Sequence, residues 1–325
     1  MNYFAITLLF SFVFGLSNQL SAFELKHSEG IVKLASAPET IVSYDLAVLD
    51  SLDYMQIPVA GIPELQRREP FQKYAEIAAV GTLFEPDYGE LNILKPDLIF
   101  AGRRTFDKLN KLNKVAPVAY LATERGRFLS DFKSNQLNLG KAFSKEAAVR
   151  DKLAAIEADL AKLHQLNQGQ SGVFMMVFDS DKIISQGPND AMGYVYEVLG
   201  LSSALPATTP AAVSRPKSHH HARPHPPIKA DGIGESTASE RRRQQLQAIV
   251  KANPDWLIVM DREQMRSGEL RADKMIKAHA VLGTMDAVIN DRVIYIDPAK
   301  WYLMSGGLNN LHELIKTMFE EMQRH

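Results

Sequence analysis

The chain of 325 residues contains no cysteine. Disulfides therefore contribute nothing to its stability, and no thiol is present to carry a lipid anchor behind a signal segment. A surplus of either charge is also missing: 37 Lys and Arg face 38 Asp and Glu, for a formal net charge of −1. No global basic field exists to hold nucleic acid, so anion binding must be local. Beyond the N-terminus no apolar run is long enough to cross a bilayer. Enzyme signatures are lacking too: there is no P-loop, no dinucleotide fingerprint after a first strand, no G-x-S-x-G and no H-E-x-x-H.

What is present starts at the first residues. Phe4 to Leu16 is almost wholly apolar and Ser21-Ala22 offers small residues for cleavage, which predicts a signal peptide over residues 1–22. The expectation is a soluble exported protein, most simply periplasmic. The length permits one large or two medium domains, and 46% hydrophobic content is enough to bury cores without covalent staples.

Two stretches repeat one pattern. Leu94-Lys95-Pro96-Asp97-Leu98-Ile99-Phe100-Ala101-Gly102-Arg103 and Ala252-Asn253-Pro254-Asp255-Trp256-Leu257-Ile258-Val259-Met260-Asp261-Arg262 each join a Pro-Asp turn, a short apolar run and an arginine. A short continuous apolar run between turns reads as a strand buried on both faces of a parallel sheet. Ligands of open α/β sheets bind beyond the carboxyl ends of the strands. Two such units predict two Rossmann-like α/β lobes with a cleft for an anion between them. Strands are also expected at Glu39 to Tyr44, Val59 to Gly61, Ile77 to Gly81, Val118 to Leu121, Gly172 to Phe178, Lys182 to Ser185 and Val293 to Ile296. Helices are expected at Leu46 to Leu52, Tyr88 to Leu94, Phe106 to Leu112, Phe128 to Leu139, Met192 to Leu199 and Leu308 to Met322. Between the lobes, Val149, Leu153, Ile156, Leu160 and Leu163 recur at helical spacing from Lys145 to Leu166, with Ser144 as N-cap. The expected division is an N-terminal lobe over 23–139, a linking helix over 140–168 and a C-terminal lobe over 169–325.

The segment 214–243 breaks this order. Six basic residues fall between Arg215 and Arg242, with His219, His220, His221 and His225 among prolines. It reads as a flexible loop or as a metal-collecting tract. Its Arg, Pro and His bias is also that of a frame-shifted stretch, which the gene sequence would reveal.

Arg103 and Arg262 are the leading candidates for anion contact, because a guanidinium presents paired donors to carboxylate or catecholate oxygens. Arg104 adjoins Arg103, and on an extended strand end only one of the two would face the cleft. Tyr302 lies between a strand and a Gly-Gly helix start, and its phenolate is a hard oxygen donor suited to Fe(III).

Val80-Gly81-Thr82, Leu94 to Ile99, Asn253 to Leu257 and Asp297-Pro298-Ala299-Lys300-Trp301-Tyr302-Leu303-Met304-Ser305-Gly306 together resemble the siderophore-binding periplasmic proteins of ABC iron importers, in the ferric-catecholate (enterochelin-uptake) branch. The resemblance spans roughly residues 30 to 200 and 250 to 325. It implies a class III periplasmic binding fold of two α/β lobes joined by one long helix. It also implies a protein that is not an enzyme and has no intrinsic cofactor. The implied ligand is a Fe(III)-siderophore such as ferric enterobactin, and the implied partner is an inner-membrane ABC permease with its ATPase in a Gram-negative bacterium. By the same resemblance Arg103 and Arg262 contact the ferric complex and Tyr302 can ligate iron. Two features of that branch are missing. Gly187 to Met192 has no third arginine, and the family's iron-ligating histidine position falls on Glu240. His221, in the nearby tract, is the candidate replacement. Haem or cobalamin as cargo, an exported metal enzyme and a His-rich metallochaperone are the competing readings. His27 is the sole histidine of the first lobe, which argues against a bare-ion site shared by both lobes.

Overall fold

The computed structural model describes residues 22–65, 69–178, 182–206 and 233–325, without the side chains of 233–239, 241, 242 and 266. The signal segment, His221 and most of the histidine-rich tract lie outside these residues.

The chain opens with an antiparallel hairpin of β1 (Phe23–His27) and β2 (Gly30–Leu34). Its period-2 alternation buries Phe23 and Leu25 and exposes Glu24 and Lys26. No strand is expected here from the sequence. The first lobe is an all-parallel sheet of β3 (Ile41–Ser43), β4 (Gly61–Ile62), β5 (Ala78–Ala79), β6 (Leu98–Ala101) and β7 (Val118–Tyr120), in the order β5-β4-β3-β6-β7. The second lobe holds β8 (Ser171–Val177), β9 (Ile183–Gln186), β10 (Ser202–Ser203), β11 (Trp256–Asp261) and β12 (Val293–Tyr295). There β10-β8-β11-β12 run parallel, and β9 is antiparallel to β8. Every residue of β6 and β11 is buried, as expected for central strands covered on both faces.

The helix Glu146–Leu166 joins the lobes and buries Val149, Leu153, Ile156 and Leu163 against the helices Phe128–Ala142 and Leu308–Met322. One apolar cluster runs from Phe23 through this helix to Met322, so the two lobes and the linker share a core. Ser144 does not cap the helix. It adopts a left-handed backbone (φ 56°) in a tight turn, and Lys145 takes the cap position without a side-chain bond. Gly140 permits that turn, because a Cβ there would stand 2.9 Å from Val149.

Two expectations need correction. Residues 103–108 continue from β6 as a 3-10 turn, followed by a short helix Leu109–Leu112, rather than as a strand end and one helix from Phe106. From Ile233 to Ala252 the backbone is a single helix, so the loop expected to reach residue 243 ends earlier. The last proline of the tract is Pro227, and the run that follows is rich in Glu, Ala, Arg and Gln, which favour helix. Its Ile249 is buried in the second-lobe core, with Leu246 and Val250 packed beside it.

Candidate functional site

The lobes enclose a cleft of about 600 Å³ at the carboxyl ends of their central strands. Its first wall follows from how β6 ends. Gly102 is buried against β3, where a Cβ would come within 2.7 Å of the Tyr44 carbonyl oxygen, so only glycine lets the chain leave the sheet there. The Thr105 hydroxyl bonds both the N–H and the carbonyl of Gly102 at 3.1 Å and closes the turn. Arg103 and Arg104 stand on this turn and both line the cleft. The alternation argument does not apply, because the backbone is no longer extended. Arg103 is exposed, whereas Arg104 is half-buried and packs over the Tyr302 ring, 4.8 Å from its centroid. Nearby Asp45 caps the helix Leu46–Tyr54, accepting from Ala47 N at 2.9 Å and Val48 N at 3.2 Å. Burial pushes its carboxyl above the ordinary range, opposed by those N–H groups and by Arg104.

The second wall is built in the same way from β11. The buried Asp261 carboxylate accepts from the backbone of Glu263 (3.0 Å), Arg271 (2.7 Å) and Ala272 (3.0 Å), folding the chain back on itself. The Arg262 N–H bonds the Val177 carbonyl at 2.8 Å. The side chain is thereby aimed inward, its guanidinium carbon 4.4 Å from the Tyr302 centroid. Among the described residues Arg262 Nη1 is buried with no hydrogen-bond partner. A buried donor without a partner is costly, and an acceptor on a bound molecule would satisfy it.

Tyr302 sits at the floor on a π-helical turn, Ala299–Leu303, a conformation frequent at functional sites. Asp297 starts the turn by accepting from Ala299 N at 2.7 Å. Asn310 holds its far side, donating to the carbonyls of Lys300 (3.0 Å) and Met304 (2.9 Å). Trp301 is buried next to it, and its carbonyl accepts from the Tyr194 hydroxyl. Two guanidinia, one from each lobe, thus flank a single phenol ring.

Sequence reasoning missed two further cleft features. Arg125, on the loop after β7, reaches across the cleft and donates to the Asn189 carbonyl at 3.3 Å. It delivers a guanidinium to the Gly187 to Met192 turn, which has no arginine of its own. Phe84 lines the cleft 5.9 Å from Arg104, while Phe178, packed on the core, lies 5.8 Å from Arg262 outside the cleft lining. No local motif marks these residues, because they meet only through the tertiary fold. The cleft carboxylates are engaged elsewhere: Asp45 caps its helix, Asp190 accepts from Gly187 N at 2.8 Å, and Glu124 pairs with Arg127 at 3.7 Å. Among the described residues none of Arg103, Arg104, Arg125 and Arg262 pairs with a carboxylate, and no group of three or more acidic or histidine side chains is poised for a metal. No helix of the described residues is long and apolar enough to cross a membrane.

Known proteins share both the sequence and this architecture. The family model described as periplasmic binding protein matches residues 41–299. The petrobactin-binding protein YclQ of Bacillus subtilis is 30% identical over 298 residues, covering 90% of this chain and 85% of that one. Its crystal structure superposes with a TM-score of 0.75, over 94% of this chain and all of the other. The ferric-anguibactin-binding protein FatB of Vibrio anguillarum is 24% identical over 92% of this chain and 87% of its own. The periplasmic catecholate-siderophore binding protein VctP of Vibrio cholerae, 23% identical, shares the fold with a TM-score of 0.73 over 92% of this chain and 99% of its own. A fold of two parallel-sheet lobes on one linking helix, matched along most of its length by these proteins, settles the kinship: the chain belongs to the periplasmic binding protein family.

Proposed function

We propose that this protein captures a ferric catecholate siderophore, ferric enterobactin or a similar chelate, and hands it to an inner-membrane ABC permease with its ATPase. Like its relatives it is a substrate-binding protein and not an enzyme. The reading includes export to the periplasm of a Gram-negative cell on the apolar segment Phe4 to Leu16. Relatives named for petrobactin and anguibactin support an iron-chelate ligand.

One observation carries the proposal: Arg104 and Arg262, from opposite lobes, converge within 5 Å of the Tyr302 ring, and among the described residues neither forms a salt bridge with a carboxylate. A ferric tris-catecholate is trianionic. At about 5 Å and an effective dielectric near 20, each guanidinium attracts one unit of that charge by about 3 kcal/mol. In the proposed complex the guanidinia donate to catecholate oxygens, and Arg262 Nη1 gains the acceptor it lacks. Arg103 contributes at the mouth. A chelate that leaves iron an open position exposes it to the Tyr302 oxygen, a hard donor suited to Fe(III). His221, the other candidate iron ligand, lies outside the described residues, and the binding argument does not require it.

The test is titration with ferric enterobactin, read by quenching of Trp256 and Trp301 fluorescence. R104A and R262A are each expected to weaken binding about 10- to 100-fold, or about 1.4–2.8 kcal/mol. R103A is expected to cost less, since Arg103 is exposed and makes no ring contact. Wild-type affinity in both R104A and R262A would refute the assignment.

A further inference from the structure

The cleft contains more aromatic surface than charge capture requires. Phe84 is 58% exposed, a large apolar ring held open at the lip of a polar site. Phe178, on the opposite lobe, is half-buried against the core beside Arg262 and does not line the cleft. Rings and guanidinia alternate in the order Phe84, Arg104, Tyr302, Arg262, Phe178, with ring centroid to guanidinium carbon distances of 5.9, 4.8, 4.4 and 5.8 Å. Lys182 extends the series, 5.0 Å from the Phe178 centroid. All five distances are within the range of cation–π attraction.

Each member of this ladder has a separate capability. The guanidinia donate hydrogen bonds in their planes. Tyr302 offers an oxygen. Phe84 can neither donate nor accept a hydrogen bond, so what it offers a ligand is a flat face. A chelate assembled from catechols presents both matching parts: oxygens directed at iron and at N–H donors, and aryl faces free to stack. A chelate assembled from oxalate or hydroxycarboxylate groups presents the charge and oxygens without the faces.

We propose that Phe84 is a specificity-determining residue that stacks on an aryl ring of the ligand, so that the cleft selects aromatic ferric chelates over ringless ones of equal charge. This rests on the reading of the cleft as a site for anionic ferric chelates. The arginines set how strongly a ferric anion is held, and Phe84 sets which one.

The test compares ferric enterobactin with tris(oxalato)ferrate(III), both trianionic, by isothermal titration calorimetry with probe carried into the millimolar range. F84L keeps apolar bulk and removes the ring; F84Y keeps the ring. The leucine variant is expected to bind ferric enterobactin about tenfold more weakly and the tyrosine variant within about twofold of wild type. Affinity for the oxalate complex is expected to stay within about twofold throughout. Unchanged enterobactin binding in F84L, an equal loss in both variants, or a parallel loss of the oxalate complex would overturn the proposal. R104A/R262A separates the two levels of argument. If that variant loses both probes while F84L loses neither, the ferric-anion site stands and ring selection falls. If wild type binds neither probe, both fall.

Discussion

Asp50 offers a quantitative test of how the cleft is held together. It lies on the first-lobe helix Leu46–Tyr54 and is 2% exposed. Its Oδ2 accepts from the backbone N–H groups of Asn309 (2.8 Å) and Asn310 (3.0 Å) at the start of the second-lobe helix Leu308–Met322. The neighbouring Ser51 hydroxyl accepts from Leu308 N at 3.2 Å. A helix of one lobe is therefore capped by side chains of the other. Burial pushes the Asp50 carboxyl above its ordinary value, against the pull of the Asn310 N–H, Lys73 and the Asn309 N–H. Two charge-assisted bonds have a gross contribution of about 1.5–3 kcal/mol each, and removing the side chain returns the cost of burying the charge. The net loss in D50A is about 2–3 kcal/mol, somewhat more than a typical N-cap deletion. For a chain of this length that lowers Tm by about 3–6 °C. D50N keeps one acceptor and the shape, so its cost is about 1 kcal/mol. The pH dependence has a definite sign. Because the folded value is raised, the contribution of this group is complete below the unfolded carboxylate value of about 3.9 and is lost as pH rises through the folded value. Wild type loses it on going towards neutrality and D50N does not, so the stability gap between them narrows as pH rises. Thermal unfolding followed by circular dichroism at acidic and neutral pH measures both effects. A D50A midpoint within 1 °C of wild type, at the scale of ~2 °C per kcal/mol, or a gap that widens with pH, would refute the reasoning.

The remaining predictions concern the cleft rim and the second sheet. R125A is expected to slow association with ferric enterobactin and flatten its salt dependence, with dissociation changed less than about twofold, because a rim charge acts mainly on encounter; stopped-flow fluorescence reads this, and a purely dissociative effect would contradict it. The Asp255 carboxyl is held below its ordinary value, first by the Ser171 N–H at 2.7 Å and also by the Ser171 hydroxyl at 2.8 Å. Its stabilisation is present above the unfolded value and lost as pH falls through the lower folded one. D255N is therefore expected to be less stable than wild type at neutrality and to converge with it in acid, which denaturant titration at several pH values would show; a constant gap would count against it.

Where the sequence was legible, the reason is local. Strands β6 and β11 announce themselves because both faces are buried and Pro-Asp turns bound them. The helices Tyr88–Leu94 and Leu308–Met322 were predictable to the residue, the first because Pro96 follows it and the second because its apolar stripe is regular. The choice between Arg103 and Arg104 was not legible, because it depends on whether Gly102 opens a strand or a 3-10 turn, and that is decided by the Tyr44 carbonyl packed against it. Arg125, Phe84 and Phe178 were invisible for a related reason. Phe84 and Arg125 reach the cleft from loops, and only the folded sheet sets those loops beside Arg104 and Asn189. The hairpin at Phe23–His27 did carry an alternating pattern, but so short a run with charged outer positions resembles any exposed segment.

The cap at Asp50 has a counterpart. Glu197 of the second lobe accepts from Phe128 N (3.0 Å) and Leu129 N (2.9 Å) at the start of the first-lobe helix Phe128–Ala142. Each half of the molecule thus finishes a helix belonging to the other, and prising the halves apart would uncover both helix ends at once. The gap between the arginines then behaves as a gauge with fixed jaws. Ligands are sorted by whether they already match its width, and the ordering cost of gripping them is met when the chain folds rather than when the ligand arrives.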